Sequence, residues 1–313
     1  MNAESKVAPI TGKKILITGV TGWVGGPLAA SLAATNDVYG AARFAKAEQR
    51  AEAKAAGYTP VRIDFANSDY DEVPDDLDLV LHFAVSKDPD PATQMRATAE
   101  GAGELMEAAK QRSDKLAAFF HCSSTAVYFP TSHEPAKEGD GLGDSHILMG
   151  MKTYSVAKIA AESVVRMTSR RLGVPTVIAR LNVPYGDRYG WMTFHLLMMQ
   201  HGMAVPVSND PPTQFSPIHA DDIAASIPYL LSLAEVGAET VNWGGNEVVS
   251  IEDWCTYMGE LTGVTPTFNQ TADMIPSVVC DLTKLNSTGF VPSVTWKEGI
   301  RRQVEAGKQA SAG

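Results

Sequence analysis

The stretch 14-KILITGVTGWVGG-26 decides how the chain is read. Its first half, 14-KILITG, carries three consecutive aliphatic residues, Ile15, Leu16 and Ile17. An unbroken apolar run of this length reads as a strand buried on both faces. Its second half, 18-TGVTGWVGG-26, places glycines at 19, 22 and 25 ahead of an Ala-rich helical run near 25–34. Strand, tight turn and helix is the setting in which this spacing holds a dinucleotide; the alternative is merely a tight strand–helix turn. Gly19 permits the turn, Gly22 lets a pyrophosphate approach the backbone, and Gly25 lets helix and strand pack closely. Thr21 lies in the same turn, and the amides around Trp23 and Val24 face the phosphates at the positive end of the helix.

Further strands are expected at 38-VYGAAR, 61-VRIDF, 79-LVLHFA, 117-AAFFHCSS and 176-TVIARLN, with helices near 45–56, 93–111 and 155–172. Continuously apolar strands alternating with helices predict an α/β fold, a Rossmann-type doubly wound parallel sheet. After residue 185, Gly and Pro become frequent and aromatic and Met residues cluster in 189-YGWMTFHLLMMQHGM-203. The expected organisation is a nucleotide-binding body over 1–185, with segments returning at about 216–245. A smaller C-terminal substrate-binding lobe then spans 186–215 and 246–313. The tail from residue 308 is expected to be disordered.

Composition narrows the partners. Acidic residues outnumber basic ones 36 to 26, for a net charge of −10, and there is no basic stripe, which argues against nucleic acid. The apolar runs are too short to span a bilayer, and 1-MNAESKVAPITGKK-14 lacks the apolar core of a signal peptide, so a cytoplasmic protein is expected. Cys122, Cys255 and Cys280 are few and scattered, which fits reduced thiols. No metal constellation is found: His195 and His201 share no face with a carboxylate.

The second strand indicates which dinucleotide. An acid there would hold an NAD ribose; here 40-GAARFAK-46 has no acid, and Arg43 stands in its place. A guanidinium can fork onto a 2′-phosphate that a carboxylate would repel. NADP(H) is therefore expected over NAD(H); otherwise Arg43 is a solvated surface arginine. Asp64, in 63-IDF-65, either accepts a bond from the adenine amine or caps its own loop, and Phe65 stands beside it in the cofactor-binding set.

Tyr154 and Lys158, in 153-TYSVAK-158, lie four apart on a helix and share a face. A tyrosine, with pKa about 10, is a poor base at neutral pH, and a nearby ammonium favours its phenolate. The strand end 121-HCSSTAVY-128 offers hydroxyls at the carboxyl edge of the sheet, where ligands bind in such folds.

Taken in order, these segments resemble the extended short-chain dehydrogenase/reductases, including the NAD-dependent epimerase/dehydratase group. The resemblance rests on 18-TGVTGWVG-25, 82-HFA-84, 123-SSTAVY-128, 154-YSVAK-158, 180-RLNVPYG-186 and 218-IHADDIA-224, and covers nearly the whole chain. It implies that Ser124 is the catalytic hydroxyl, beside Tyr154 as acid–base and Lys158 as its tuner. Phe83 and Ala84 would underlie the cofactor and Val183 would border the nicotinamide. It also implies a homodimer through the helices near 93–111 and 155–172. Two departures stand out. Thr98 replaces an asparagine of the family's N-x-x-G pattern. Phe215 stands where sugar-nucleotide members carry an arginine for the substrate diphosphate.

A buried diphosphate without a cation is costly. The expected substrate is therefore a small or medium apolar carbonyl or alcohol, handled by an NADP(H)-dependent carbonyl reductase or alcohol dehydrogenase. Lys87, Ser124, Tyr185, Trp191, Met192 and Phe215 are its candidate contacts, although an aromatic and Met stripe also suits plain core. The alternatives are a sugar-nucleotide epimerase or dehydratase, a non-catalytic NADP-binding regulatory protein, and an enone reductase, to which the glycine loop bears a fainter likeness.

Overall fold

The computed structural model describes residues 7–130, 133–143 and 153–312. Seven strands form one sheet: β1 (Lys14–Thr18), β2 (Asp37–Ala42), β3 (Thr59–Arg62), β4 (Leu79–His82), β5 (Ala118–Ser124), β6 (Thr176–Leu181) and β7 (Glu239–Trp243). They pair in the order β7-β6-β5-β4-β1-β2-β3, and every pairing is parallel. The chain winds outward from β1 to β3, then returns to build β4 to β7 on the other side. This is the doubly wound sheet expected from the apolar strands, and it opens a crevice between the carboxyl ends of β1 and β4.

The longer helices are α1 (Gly25–Ala33), α2 (Ala47–Ala55), α3 (Gly101–Arg112), α4 (Tyr154–Leu172), α5 (Trp191–Gln200), α6 (Ala220–Leu231), α7 (Ile251–Thr262) and α8 (Trp296–Ala312). Strand side chains alternate between two cores. Ile15, Ile17, Leu81, Phe120 and Val177 pack with Leu28 of α1 and Ile223 and Ile227 of α6. Leu16, Val80, Phe119 and Ile178 pack on the opposite face with Leu105 and Met106 of α3 and Val165 of α4. Each such side chain contributes about 1.5–3 kcal/mol when fully buried. No described helix is long and apolar enough to cross a membrane.

A third core joins Met192, Leu196 and Met199 of α5 to Trp254 and Met258 of α7 and to Ile300 and Val304 of α8. The expectation of a disordered tail is corrected here, because α8 continues through Ala312. Ile300 and Val304, four apart, anchor one face in this core, while Arg301 pairs with Glu298 and Glu305 on the outer face, each at 2.8 Å.

The segment after β4 positions much of the site. Between the short helix Pro91–Met95 and α3 lies a π-helical turn, Arg96–Glu100, of a kind often found at functional sites. Thr98 is buried in it and accepts the Ser86 amide at 3.1 Å. The residue that departs from the family pattern therefore ties the loop carrying Lys87 to the helix layer.

Candidate active site

Gly19 leaves β1 with φ +74°, the left-handed region that glycine tolerates, and a Cβ there would lie 2.9 Å from the Ala84 nitrogen. At Gly25 a Cβ would meet the Gly19 carbonyl oxygen at 2.7 Å, so α1 can sit on the turn only with glycine there. The first turn of α1 has neither an acidic residue nor a capping side chain, which leaves its amides available to an anion.

Two cavities meet at this turn. The larger, about 360 Å³, is lined by Gly19, Thr21, Gly22, Trp23, Val24, Gly25 and Phe83, and by Ser124, Tyr154, Lys158 and Val183. The smaller, about 140 Å³, shares Gly19 and Thr21 and adds Arg43, Asp64, Phe65 and Ala84. One end thus carries acid–base groups, and the other carries the end of β2 with its guanidinium. A two-ended ligand with a pyrophosphate centred on Gly19–Gly25 fits this shape, so the residues present suit a nicotinamide dinucleotide.

Tyr154 and Lys158 open α4, whose C-terminus is closed by Gly173 at φ +65°. Lys158 is 3 % exposed and donates to the Cys122 carbonyl at 2.8 Å. Burial pulls its pKa below the usual lysine range, against the opposing pull of Cys122 and Glu162. Desolvation pushes the Tyr154 phenol up to about 12, while a hydrogen bond with Ser124 draws it back down. Burial thus outweighs the expected lowering, and the phenol holds its proton at neutral pH. Behind this group, the buried Glu162 carboxylate accepts from Arg180 Nε and Nη2 at 2.9 and 2.7 Å and from Ser123 at 2.7 Å. That network anchors α4 to the ends of β5 and β6.

The structure separates the candidate substrate contacts. Lys87, Ser124, Trp191 and Phe215 line the larger cavity. Tyr185 and Met192 do not, and their assignment is corrected: both are buried in the lobe core, at 1 % and 0 % exposed. Tyr185 packs edge-on against His219 at 5.2 Å, and Met192, one residue past Trp191, belongs to the lobe core and does not line the cavity. Asp64 caps its own loop, accepting from the Ala66 amide at 3.2 Å and the Asn67 side chain at 2.9 Å. Trp23 forms one wall, stacking at 6.1 Å on Tyr189 with the Lys87 ammonium 6.0 Å from its ring. The sequence reading missed Val85, Asn182, Ile275 and Val278, which also line the larger cavity. Only Asn182 carried a signal, inside the quoted 180-RLNVPYG-186. Ile275 and Val278 arrive by a tertiary route, through a bridge that pairs Val278 with Phe215.

Known proteins resemble the chain over most of its length. A trifunctional UDP-glucose 4,6-dehydratase/UDP-4-keto-6-deoxy-D-glucose 3,5-epimerase/UDP-4-keto-L-rhamnose-reductase of Arabidopsis thaliana is 23% identical over 318 residues, covering 94% of this chain and 47% of that protein. The chain therefore spans about half the length of that relative. The dTDP-glucose 4,6-dehydratase of Escherichia coli is 24% identical over 260 residues, covering 73% of this chain and 72% of that enzyme. Among solved structures, UDP-glucuronic acid 4-epimerase from Bacillus cereus, in complex with UDP-glucuronic acid and NAD, superposes with a TM-score of 0.80 at 21% identity, over 95% of this chain and 99% of that one.

These relatives overturn the expected carbonyl reductase or alcohol dehydrogenase and its small apolar substrate, because the activities they are named for concern sugar nucleotides. Phe215 therefore does not exclude a sugar nucleotide, and Lys87, on a different loop, lines the same cavity. The model of the NAD dependent epimerase/dehydratase family matches residues 15–244, and the chain belongs to that family.

Proposed function

We propose that the chain is an NAD(P)-dependent epimerase or dehydratase acting on a sugar nucleotide. The observation that carries this reading is the meeting of Ser124, Tyr154 and Lys158 with the glycine turn in one cavity. When bound, a nicotinamide dinucleotide supplies a carbon that accepts and returns hydride. Ser124 holds the substrate oxygen at the reacting carbon, and Tyr154 takes up or gives back its proton. Lys158 holds the nicotinamide ribose, and with the cofactor bound its charge opposes the burial that raises the phenol pKa. Gly19 to Gly25 bind the pyrophosphate through backbone amides. Lys87 is the cation for the substrate diphosphate, in place of an arginine at 215.

Within this reading NADP(H) is preferred, supported by Arg43 just beyond β2 in the lining of the smaller cavity. The body over 1–185 and the lobe over 186–215 and 246–313 divide the work between cofactor and substrate. A homodimer through α3 and α4 is supported by exposed Val156 and Met167 on α4, at 38% and 51% exposed. A monomer by light scattering would count against it.

The test incubates the protein with UDP- and dTDP-hexoses and catalytic NADP⁺ or NAD⁺, following the sugar by NMR. Conversion without net reduction of cofactor is expected. Tyr154→Phe should lower turnover by about 10²–10⁴-fold while leaving cofactor affinity within about twofold. Failure to convert or bind any sugar nucleotide would sink the reading.

A further inference from the structure

A row of buried polar side chains crosses the sheet beneath α3 and α4. β1 contributes Thr18, β4 His82 and β5 His121, with Thr18 in register with His82 and His82 with His121. None of the three is more than 1 % exposed. The Thr18 hydroxyl oxygen accepts two amides, from Phe83 and Ala84, both at 3.1 Å. With both lone pairs so engaged, the hydroxyl has only its proton to offer His82 Nδ1, 2.8 Å away. Nδ1 is then the acceptor, so the neutral His82 ring carries its proton on Nε2.

That Nε2, both ring nitrogens of His121 and the hydroxyl of Ser155 are buried without a hydrogen-bond partner among the described residues. Buried polar atoms left in this way call for an explanation. The two imidazoles stack at 5.4 Å with an interplanar angle of 27°. Ser155 precedes Lys158 by one helical turn, on the same buried face of α4. Burial, reinforced by the nearby Lys158 charge, takes His82 down to about 3 and His121 well below its usual value, so both rings are neutral. The charged groups that act on the two rings are Lys158 and Arg166 from α4; Cys122 of β5 and Glu162 of α4 act on Lys158, and Arg180 of β6 acts on Glu162. His82, His121 and Ser155 line neither cavity, whereas Lys158 lines the larger one.

Lys158 has three N–H donors, and one is given to the Cys122 carbonyl. We propose that His82, His121 and Ser155 frame an internal water site behind Lys158, which accepts a second lysine proton and holds the ammonium charged beside Tyr154. One tetrahedral water can serve Lys158 and one polar atom of each of the three side chains, leaving the second His121 nitrogen outside the site. It accepts from His82 Nε2–H and from Lys158, and donates to a His121 nitrogen and to the Ser155 oxygen. The three side chains are positioning residues that act through Lys158. Their effect on catalysis rests on the function proposed above; the water site itself does not.

The test combines a high-resolution crystal structure, nitrogen NMR of the histidines, and an NMR titration of Lys158 in wild type, Ser155→Ala and His121→Leu. Expected are an Nε2–H tautomer for His82 and an ordered water in hydrogen-bonding reach of His82 Nε2 and Lys158 Nζ. In either variant the Lys158 midpoint should fall by roughly one pH unit, because a bond to the charged form is lost. The alkaline limb of turnover should move with it. Ser155→Ala removes only a hydroxyl, so the test stands even if His121→Leu does not fold. An Nδ1–H tautomer, no water at this place, or an unmoved Lys158 midpoint in Ser155→Ala would each overturn the proposal. A moved midpoint in a protein that converts no sugar nucleotide would uphold the water site and reject the function instead.

Discussion

Replacing Glu162 with alanine tests the anchor beneath the active site. Its side chain is 0 % exposed and that of Arg180 is 2 %. The carboxylate takes a two-pronged bond from Arg180, at 2.9 and 2.7 Å, and bonds from Ser123 at 2.7 Å and Arg166 at 3.1 Å. Burial alone would raise its pKa. Arg180's hydrogen bonds and charge, the Ser123 hydroxyl and Arg166 outweigh that and hold the carboxyl below its usual value. Glu162→Ala leaves the buried guanidinium with the Glu138 carbonyl but without its counter-charge, and it cannot shed its proton. Breaking a buried pair from one side costs about 3–5 kcal/mol. At roughly 2–4 °C per kcal/mol, Tm should drop by on the order of 10 °C. The assay is equilibrium urea unfolding together with a thermal melt, on Glu162→Ala and on the double variant Glu162→Met/Arg180→Met. The double variant should recover part of the loss, because an apolar pair leaves no buried charge. The pH dependence has a definite sign. A depressed carboxylate stabilises the fold above its unfolded pKa of about 4.3, and that contribution is lost as pH falls below it. A Glu162→Ala protein within about 1 kcal/mol of wild type, or a double variant as unstable as the single, would refute the reasoning.

Three further outcomes are expected. Arg43→Asp should raise KM for NADPH by about tenfold or more while changing that for NADH little, and equal effects on the two would remove Arg43 from the 2′-phosphate. Gly25→Ala should weaken dinucleotide binding, measured by fluorescence titration, because its Cβ would lie 2.7 Å from the Gly19 carbonyl oxygen; unchanged affinity would show that the turn yields easily. His195 accepts from Trp254 Nε1 at 2.9 Å, and burial pushes it down to about 4. Stability that it supports above its unfolded pKa of about 6.5 should therefore drain away as pH falls towards 4, and His195→Gln, which keeps an acceptor for Trp254, should flatten that slope.

The sheet was legible because its signal is local. Ile15 to Ile17, Leu79 to Leu81 and Ala118 to Phe120 are apolar without a break, and a strand must be covered on both faces to look so. The third strand was placed two residues late, at 61–65, where Ile63 looked like strand. The structure instead begins it at Thr59 and turns at Asp64, whose side chain accepts from Ala66 and Asn67 while its backbone bridges to Asp69. The glycine turn and the Tyr154–Lys158 pair were equally visible, because each is a fixed spacing within a short stretch of chain.

What the sequence determined by itself, then, is the doubly wound sheet, the glycine turn and the Tyr154–Lys158 pair, with Ser124 singled out by the family resemblance. What only the tertiary structure decided is which side chains of the lobe meet the cavity. The run 191-WMTFHLLMMQ-200 is apolar around most of its circumference, so its periodicity does not say that Trp191 faces inward while Met192 joins the core. Ile275 and Val278 reach the site from a distant segment, through the pairing of Val278 with Phe215. The unpartnered nitrogens behind Lys158 emerge only when β4, β5 and α4 are stacked. Spacing along a chain encodes what one helix or strand does with its neighbours in sequence. A cavity wall is set by what remains uncovered after all the elements have packed, and that is a property of the whole fold.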